Sequence, residues 1–219
     1  MTISNYDGIV SDLQGFSTVK REQVMQLETQ RYYTPEEYLV LEEKAEYKSE
    51  YRDGEIIPMT GGTTNHNKIS LNLAASLKIA LRGKEYEVYM SDIRLWIPRY
   101  RQYTYPDVML IQGQAIYTGT NTTSVMNPSI IAEVLSKSTK NYDQGDKFLY
   151  YRSIPELKEY ILIDQYDYHV MQYVKTATGQ WLFTELEDQS ATLLLQTIDF
   201  QIQLIDLYEQ INFAEKDED

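Results

Sequence analysis

The sequence predicts a mixed α/β domain whose central sheet is flanked by helices. Short runs of Val, Ile and Leu, which are typical of buried strands, alternate with segments that carry helix signals. Around 130–163 a strand, a helix and a second strand follow one another, an order that indicates a right-handed crossover between parallel neighbours. The chain has 219 residues, a length that suits one such domain.

The N-terminal region combines an unpatterned segment with a well-marked helix start. Residues 1–31 lack a consistent period and are predicted to form an irregular arm. Thr34 can then cap a helix, Pro35 suits its first position, and Glu37 completes a capping box. The helix is predicted to continue to about residue 48.

A hairpin and a long helix are predicted next. Asp53-Gly54 is a strong two-residue turn signal in the middle of a hairpin over 49–59. Thr63 or Thr64 can then cap a helix over about 65–83. That helix is supported by apolar residues at helical spacing, namely Ile69, Leu73, Leu77 and Ala80.

The remaining apolar runs predict the strands of the sheet and two further helices. Strands are predicted at 86–90, 93–97, 107–111, 130–135, 160–163, 168–174 and 181–186. Helices are predicted at about 143–152 and 204–211. A domain over 32–213 and a charged tail over 214–219 complete this organisation.

Two acidic residues interrupt neighbouring apolar strands that we expect in the middle of the sheet. Side chains alternate along a strand, so Glu133 shares a face with Ile131 and Leu135, and Asp107 shares one with Met109. A carboxylate in such a row is costly to desolvate unless something compensates it, and two carboxylates on adjacent strands repel each other. A divalent cation between them would resolve both problems.

The composition restricts which cation this could be. The chain has no cysteine, which excludes disulfides, thiolate-bound zinc and thiol catalysis, and its two histidines argue against a histidine-rich zinc site. The sequence therefore predicts a site for Mg²⁺ or Mn²⁺ built from the oxygens of Asp107 and Glu133. The alternative is that each acid caps a turn or pairs with an arginine, such as Arg94.

Two lysines that follow the Glu133 strand are candidates for a catalytic cation. Lys147 lies on the next predicted helix, from which a long side chain could reach the carboxyl end of the strand. Lys137 is closer in sequence and competes for the role. A lysine there would orient a water molecule and stabilise developing negative charge; the alternative places both lysines in solvent.

Two further residues are candidates for supporting roles. His66 begins a helix, and because helix N-termini attract anions it could contact a phosphate; the alternative is a surface cap residue. Glu50 precedes the hairpin turn and is either a third acid of the site or an ordinary polar strand position. His169 lies in a late strand and is predicted to be structural.

The charge balance bears on the partner and the location. The net charge is −13, whereas nucleic-acid-binding proteins are usually basic. Binding is local, however, and residues 78–101 contain six Lys or Arg against three Asp or Glu, so DNA is expected to approach over this segment. The sequence shows no signal peptide and no apolar run long enough to span a bilayer, which favours a cytoplasmic protein without membrane contact.

Five segments occur in an order and spacing that resemble a known family. They are YTPEEYL from Tyr33, EYRDGEIIPMTGGTTNHNKI, YPDVML, IAEVLSKSTKNYDQGDKFLYY and IPELKEYILID. Over roughly 32–211 the chain resembles the Uma-type family of restriction-endonuclease-like proteins, within the PD-(D/E)XK nuclease superfamily. The resemblance implies a restriction-endonuclease-like α/β fold and a Mg²⁺-dependent nuclease centre.

The same resemblance implies roles for individual residues. Pro106-Asp107 is similar to the PD element, and Glu133 to the second acid. The parent motif has a lysine two residues after that acid, where this chain has Leu135. The resemblance matches the displaced lysine to Lys147 on the following helix.

The principal hypothesis is therefore a metal-dependent endonuclease acting on DNA. Glu50 and His66 match family positions that line the same cleft, where they would be an outer ligand and a phosphate contact. The alternatives are a nuclease-fold scaffold that binds a partner or nucleic acid without cutting, and an enzyme acting on a small phosphorylated substrate. A homodimer is a further expectation, because apolar, tyrosine-rich strands near the C-terminus could form an interface.

Overall fold

The described part of the chain begins just before the first predicted helix. The structure, a computed structural model, describes residues 31–119, 121–137 and 139–214. Apart from residues 31 and 214, the predicted N-terminal arm and the predicted charged tail lie outside the described residues.

The described residues form helices that are interspersed among runs of strands. The helices are α1 (Pro35–Glu42), α2 (Thr64–Ala80), α3 (Lys140–Tyr142, Asp143–Lys147 and Phe148–Tyr151 in succession) and α4 (Leu204–Leu207). The strands are β1 (Ser49–Arg52), β2 (Glu55–Pro58), β3 (Tyr86–Met90), β4 (Arg94–Ile97), β5 (Gln102–Thr104), β6 (Val108–Gln112), β7 (Ser124–Val125), β8 (Ile130–Leu135), β9 (Glu159–Asp164), β10 (Val170–Lys175), β11 (Trp181–Leu186), β12 (Thr192–Leu195) and β13 (Phe200–Gln203).

The local signals near the N-terminus act as predicted. The Thr34 hydroxyl accepts from the Glu37 amide at 3.1 Å, and the Glu37 carboxylate accepts from the Thr34 amide at 2.9 Å, which completes the capping box of α1. Asp53 and Gly54 join β1 to β2 with φ values of 42° and 110°, the left-handed conformation that a tight hairpin turn requires. α1 ends at Glu42 rather than near residue 48, because the Glu42 carboxylate accepts from the Ser49 amide and turns the chain into β1.

A six-stranded sheet carries the two acidic strands in its interior. Its order is β11-β10-β9-β8-β6-β3, with β8 and β9 parallel and the other neighbours antiparallel. The parallel pair is connected through α3, which confirms that the predicted crossover joins parallel neighbours. In the β6–β8 ladder Val108 pairs with Ala132, so Asp107, one residue earlier, comes opposite Glu133, one residue later.

A second sheet of five strands was not expected from the sequence. Its order is β2-β1-β5-β4-β7, so it takes up the predicted hairpin and the predicted strand at 93–97. β5 is a three-residue strand of polar and aromatic residues, and β7 has two residues, so neither carries a readable apolar period. The short ladder of β12 and β13, which precedes α4, was also missed.

Two apolar layers enclose the six-stranded sheet. One layer joins α2, α4 and the β12–β13 ladder to the sheet face that carries Leu110, Ala132 and Ile161. The other joins β4, β7 and α3 to the face that carries Met109, Ile131 and Leu162. Because β8 alternates, Glu133 belongs to the second layer, the one shared by the two sheets and α3.

α3 differs from the predicted helix in its start and in its winding. It begins at Lys140, three residues before the predicted 143, and its central turn, Asp143–Lys147, is π-helical. π-helical turns are uncommon in proteins, and those that do occur are often at functional sites. Among the described residues, none of the helices has the length and apolar composition needed to cross a bilayer.

Candidate active site

Asp107 and Glu133 meet where β6 begins and β8 approaches its end. The Asp107 amide lies 3.3 Å from Oε2 of Glu133, and Oδ2 of Asp107 accepts from the Val134 amide at 2.8 Å. Each acid therefore touches the other acid's strand, as expected from the register. The side chain of Glu133 is 3% exposed and that of Asp107 is 15% exposed, so the pair is largely withdrawn from water.

Lys147 reaches this pair from the π-helical turn of α3. Its Nζ lies 2.9 Å from Oε1 of Glu133 and 3.2 Å from Oδ1 of Asp143, and its side chain is 10% exposed. Burial disfavours the ammonium, but Glu133 and Asp143 outweigh it and hold the pKa of Lys147 well above its ordinary value. The Lys147 ammonium is thus buried and stays protonated at neutral pH.

Asp143 and Tyr151 belong to the same cluster and were not identified from the sequence. The Tyr151 hydroxyl donates to Oε1 of Glu133 at 2.6 Å, and the Asp143 carboxylate faces Lys147 from one π-helical turn earlier. The sequence did contain a signal: residues 143, 147 and 151 are four apart and therefore share one side of a helix.

His66 contacts Asp107 from the N-terminus of α2. Its Nε2 lies 3.1 Å from Oδ2 of Asp107, while its amide donates to the Thr63 cap. Burial disfavours the charged imidazole, but the hydrogen bond to Asp107 outweighs it and raises the pKa of His66. A side chain at Gly62 would place its Cβ 3.1 Å from Nδ1 of His66, so the glycine leaves room for the ring.

Glu50 approaches Lys147 from the five-stranded sheet. Its Oε2 accepts from Arg52 at 2.7 Å, and its Oε1 accepts from the Thr104 hydroxyl. Burial opposes the charge of this carboxyl, but Lys147, Thr104 and Arg52 stabilise it and lower the pKa of Glu50. Glu50 is therefore a buried, ionised acid beside the Lys147 charge.

The two central acids differ in how well their charges are compensated. Burial raises the pKa of Glu133 to about 8; Lys147 lowers it, and the Asp107 and Asp143 carboxylates raise it. Burial also opposes the charge of Asp107, but hydrogen bonds from His66 and Val134 hold the pKa of Asp107 below its ordinary value. Asp107 is thus ionised at neutral pH, while Glu133 retains a strong affinity for a proton.

Two other basic residues singled out from the sequence, Lys137 and Arg94, take different positions. Lys137 is exposed on the turn between β8 and α3, whereas the ammonium 2.9 Å from Glu133 is that of Lys147. Arg94 pairs with neither central acid; it is buried, and it donates to Ser124 at 3.1 Å and to Thr123 at 2.7 Å. Of the six Lys and Arg side chains in residues 78–101, that of Arg94 is therefore not available to DNA, while the approach of DNA over this segment stays a prediction.

The donor set of Asp107 and Glu133 fits a hard divalent cation. Oδ1 of Asp107 accepts no hydrogen bond from the described residues, and Oε2 of Glu133 has only the long contact from the Asp107 amide. Mg²⁺ commonly uses one or two carboxylates and keeps several waters, so two protein ligands suffice.

A group of three potential ligands occurs elsewhere in the described residues. His169, Glu185 and Glu187 have ligand atoms within 4.8 Å of one another. The His169 ring and the Glu185 carboxylate lie 2.7 Å apart in a hydrogen bond, a structural link to β11 that requires no bound ion.

Comparison with known proteins agrees with this architecture. The model of the Uma2 family, described as "Putative restriction endonuclease", matches residues 35–207. Two uncharacterized proteins of Synechocystis sp., sll1609 and slr1290, are 45% and 34% identical and align with 78% and 82% of this chain and with 96% and 93% of their own lengths.

A solved structure shares the fold at low sequence identity. It is described as a putative nuclease belonging to DUF820 from Anabaena variabilis, and it superposes with a TM-score of 0.68 at 18% identity, over 82% of this chain and 99% of its own. The mixed α/β architecture predicted from the sequence is thereby confirmed. Since the family match extends from α1 to the end of α4, the chain belongs to the Uma2 family.

Proposed function

We propose that this chain is a metal-dependent endonuclease that hydrolyses phosphodiester bonds of DNA with Mg²⁺ or Mn²⁺. The observation that carries the proposal is the buried Lys147 ammonium, 2.9 Å from Glu133 at the point where Glu133 meets Asp107. Phosphodiester hydrolysis develops negative charge on the phosphate oxygens, and a fixed ammonium beside a cation-binding acid pair offsets that charge. The family description favours the same reaction.

Asp107 and Glu133 would hold the cation through their less engaged oxygens. Bound there, Mg²⁺ or Mn²⁺ would lower the pKa of a water ligand and polarise a phosphoryl oxygen. The two carboxylates would share the positive charge, which removes both their repulsion and the desolvation cost of Glu133. The cation would therefore compete directly with the proton that Glu133 otherwise retains.

The surrounding residues would orient the reactants and move charge. Lys147 would position the attacking water and stabilise the transition state. His66, whose charged form is favoured by Asp107, would donate a hydrogen bond to a substrate phosphate. Glu50 would stabilise the Lys147 ammonium through its charge and would be an outer ligand of the metal ion. Lys137 receives no catalytic role in this proposal.

Metal-dependent cleavage with an acid-deleted control tests the proposal. We expect the chain to cut DNA in Mg²⁺ or Mn²⁺, to lose this activity in EDTA, and to lose it in Asp107→Ala, because one of two ligands is removed. Asp92→Ala, which removes an acid whose side chain is 82% exposed, is the matched control and should cut normally. Gel assays on DNA and RNA substrates give the readout; undiminished cleavage by Asp107→Ala would remove the mechanism.

A second candidate function is a nuclease-fold scaffold that binds a partner without cutting. It is favoured by the hydrogen-bonded state of Glu133, whose Oε1 is satisfied by Lys147 and Tyr151 without a cation. The net charge of −13 also suits a partner other than nucleic acid. Calorimetric titration separates the two functions, since a scaffold predicts no Mg²⁺ or Mn²⁺ binding at millimolar concentration.

The proposal extends to location and assembly. We place the reaction in the cytoplasm, and we propose a homodimer joined through β11. This strand is at one edge of the six-stranded sheet, and its Leu182 and Phe183 are 53% and 47% exposed, which suits burial against a second copy. Light scattering over a range of protein concentrations tests the dimer, which a constant monomer mass would exclude.

A further inference from the structure

Three tyrosines and two arginines form a continuous series that starts beside Lys147. Tyr142 and Tyr150 lie on α3, and Tyr100 lies on the short turn after β4. The ring centroids of Tyr142 and Tyr150 are 6.4 Å apart, and those of Tyr150 and Tyr100 are 4.7 Å apart. We call this series, with Arg52 and Arg99 at its two ends, the tyrosine track.

Both ends of the tyrosine track carry a cation over a ring. The Arg52 guanidinium lies 3.8 Å from the Tyr142 centroid, and the Arg99 guanidinium lies 5.7 Å from the Tyr100 centroid. Lys147 Nζ is 6.0 Å from the Tyr142 centroid, so the inner end of the track adjoins the candidate active site. Arg99, at the outer end, is exposed.

The packing of Arg52 leaves one donor unused. Its terminal nitrogen donates to Glu50 at 2.7 Å, but its Nε is buried and has no hydrogen-bond partner among the described residues. A buried donor without an acceptor is uncommon, because it forgoes the hydrogen bond that it made to water. The Arg52 side chain as a whole is 30% exposed, so a phosphate oxygen beside Tyr142 could reach other parts of its guanidinium.

The rings themselves remain partly accessible. Tyr100, Tyr142 and Tyr150 are each intermediate in exposure, unlike Tyr151 and Tyr160, which are fully buried in the same region. Burial, the largest effect, together with the nearby Glu50 raises the pKa of Tyr142, so its phenol stays neutral and does not repel a phosphate. Neutral aromatic faces with interspersed cations are the composition of surfaces that bind unpaired nucleic acid.

We propose that the tyrosine track binds an unpaired DNA strand and leads it into the active site. Bases would stack against the accessible ring faces, while Arg52 and Arg99 would contact phosphates at the two ends. A duplex keeps its base faces covered by neighbouring base pairs, so the track discriminates in favour of single-stranded, frayed or flipped segments. This inference rests on the proposed endonuclease function for its biological meaning, whereas strand binding itself requires no metal.

Binding measured without metal tests the inference separately from cleavage. In EDTA, fluorescence anisotropy with a labelled single-stranded oligonucleotide and a duplex hairpin should show tighter binding of the single strand. Tyr150→Leu should weaken single-strand binding by about tenfold or more, the effect of losing one stacked base, and should leave duplex binding nearly unchanged. Thermal unfolding verifies that this variant is folded.

Two charge variants keep the test valid if Tyr150→Leu fails to fold. Arg99→Gln should weaken single-strand binding and lower the slope of log K against log salt by about 0.7, the value for one lost phosphate contact of a single strand. Lys44→Gln, which removes an exposed cation just after α1, is the matched control and should leave both unchanged. Equal losses in the two variants, or a duplex bound as tightly as the single strand, would overturn the inference. Retained single-strand preference without any cleavage would reject only the catalytic proposal.

Discussion

Glu133→Gln is expected to abolish metal-dependent cleavage while leaving the protein at least as stable as the wild type. Glutamine keeps an oxygen that can accept from Tyr151 but removes the charge that would bind the cation. Loss of a metal ligand and its charge should lower the rate on the order of a thousandfold or more. The free energy of unfolding should not decrease along with the activity, because Glu133 is a fully buried acid whose charge opposes folding.

The stability difference between Glu133→Gln and the wild type is expected to depend on pH. The pKa of Glu133 is raised from 4.5 to about 8 on folding, so the folded chain binds this proton more tightly than the unfolded chain does. The free energy of unfolding of the wild type therefore decreases as the pH rises from about 4.5 to 8, and Glu133→Gln lacks this decrease. In EDTA, the free energy of unfolding of Glu133→Gln should rise relative to that of the wild type between pH 5 and pH 8.

Paired urea-unfolding curves and cleavage assays measure both halves of this expectation. Asp92→Asn, at an exposed acid, is the matched control and should change neither stability nor cleavage. A glutamine variant that is strongly destabilised at pH 8, or one that still cuts DNA, would show that Glu133 serves the fold rather than the reaction.

Lys147→Met is expected to be destabilising as well as inactive. Methionine fills much of the same volume, but it leaves Glu133, Asp143 and Glu50 without the ammonium that they surround. Removing one partner from a buried ion network typically costs about 3–5 kcal/mol. Cleavage should fall by about 10²–10³-fold in folded protein, because the transition state loses a fixed positive charge.

The comparison with Lys137→Met isolates the contribution of the buried ammonium. Lys137 is exposed on the turn before α3, so its replacement should leave the unfolding midpoint and the cleavage rate close to those of the wild type. Mg²⁺ should restore part of the stability of Lys147→Met, since a cation between the acids replaces some of the lost positive charge. A Lys147→Met protein with wild-type stability would contradict the proposed network of buried charges. Equal losses of cleavage in the Lys147 and Lys137 variants would contradict the assignment of Lys147 as the catalytic lysine.

Some parts of the fold could be read from local sequence because short-range physics determines them. The capping box at Thr34, the left-handed turn at Asp53-Gly54 and the cap of α2 at Thr63 each depend on residues within a few positions. The strands of the six-stranded sheet were recognisable because most of their side chains are apolar, as in β6 and β8. The fold class followed from these elements.

Other parts depend on contacts between distant segments and left little local trace. β5 and β7 are too short and too polar to show a period, so the five-stranded sheet was not foreseen. Arg94 resembled a free cation of a basic segment, yet it is buried against Thr123 and Ser124, about thirty residues away. The β4–β7 pairing, in which Arg94 is opposite Ser124, brings these partners to Arg94.

The sequence by itself determined that Asp107 and Glu133 occur in apolar runs that form buried strands, because apolar runs and side-chain alternation are local properties. That these two strands are neighbours, with Asp107 opposite Glu133, depends on long-range pairing. The tertiary structure decided which groups compensate the charges of these two carboxylates. The π-helical turn of α3 selects Lys147 over Lys137, the start of α2 brings His66 to Asp107, and the second sheet contributes Glu50. These choices depend on how helices and sheets pack in space, and electrostatic compensation of a buried acid acts through distance rather than through position along the chain.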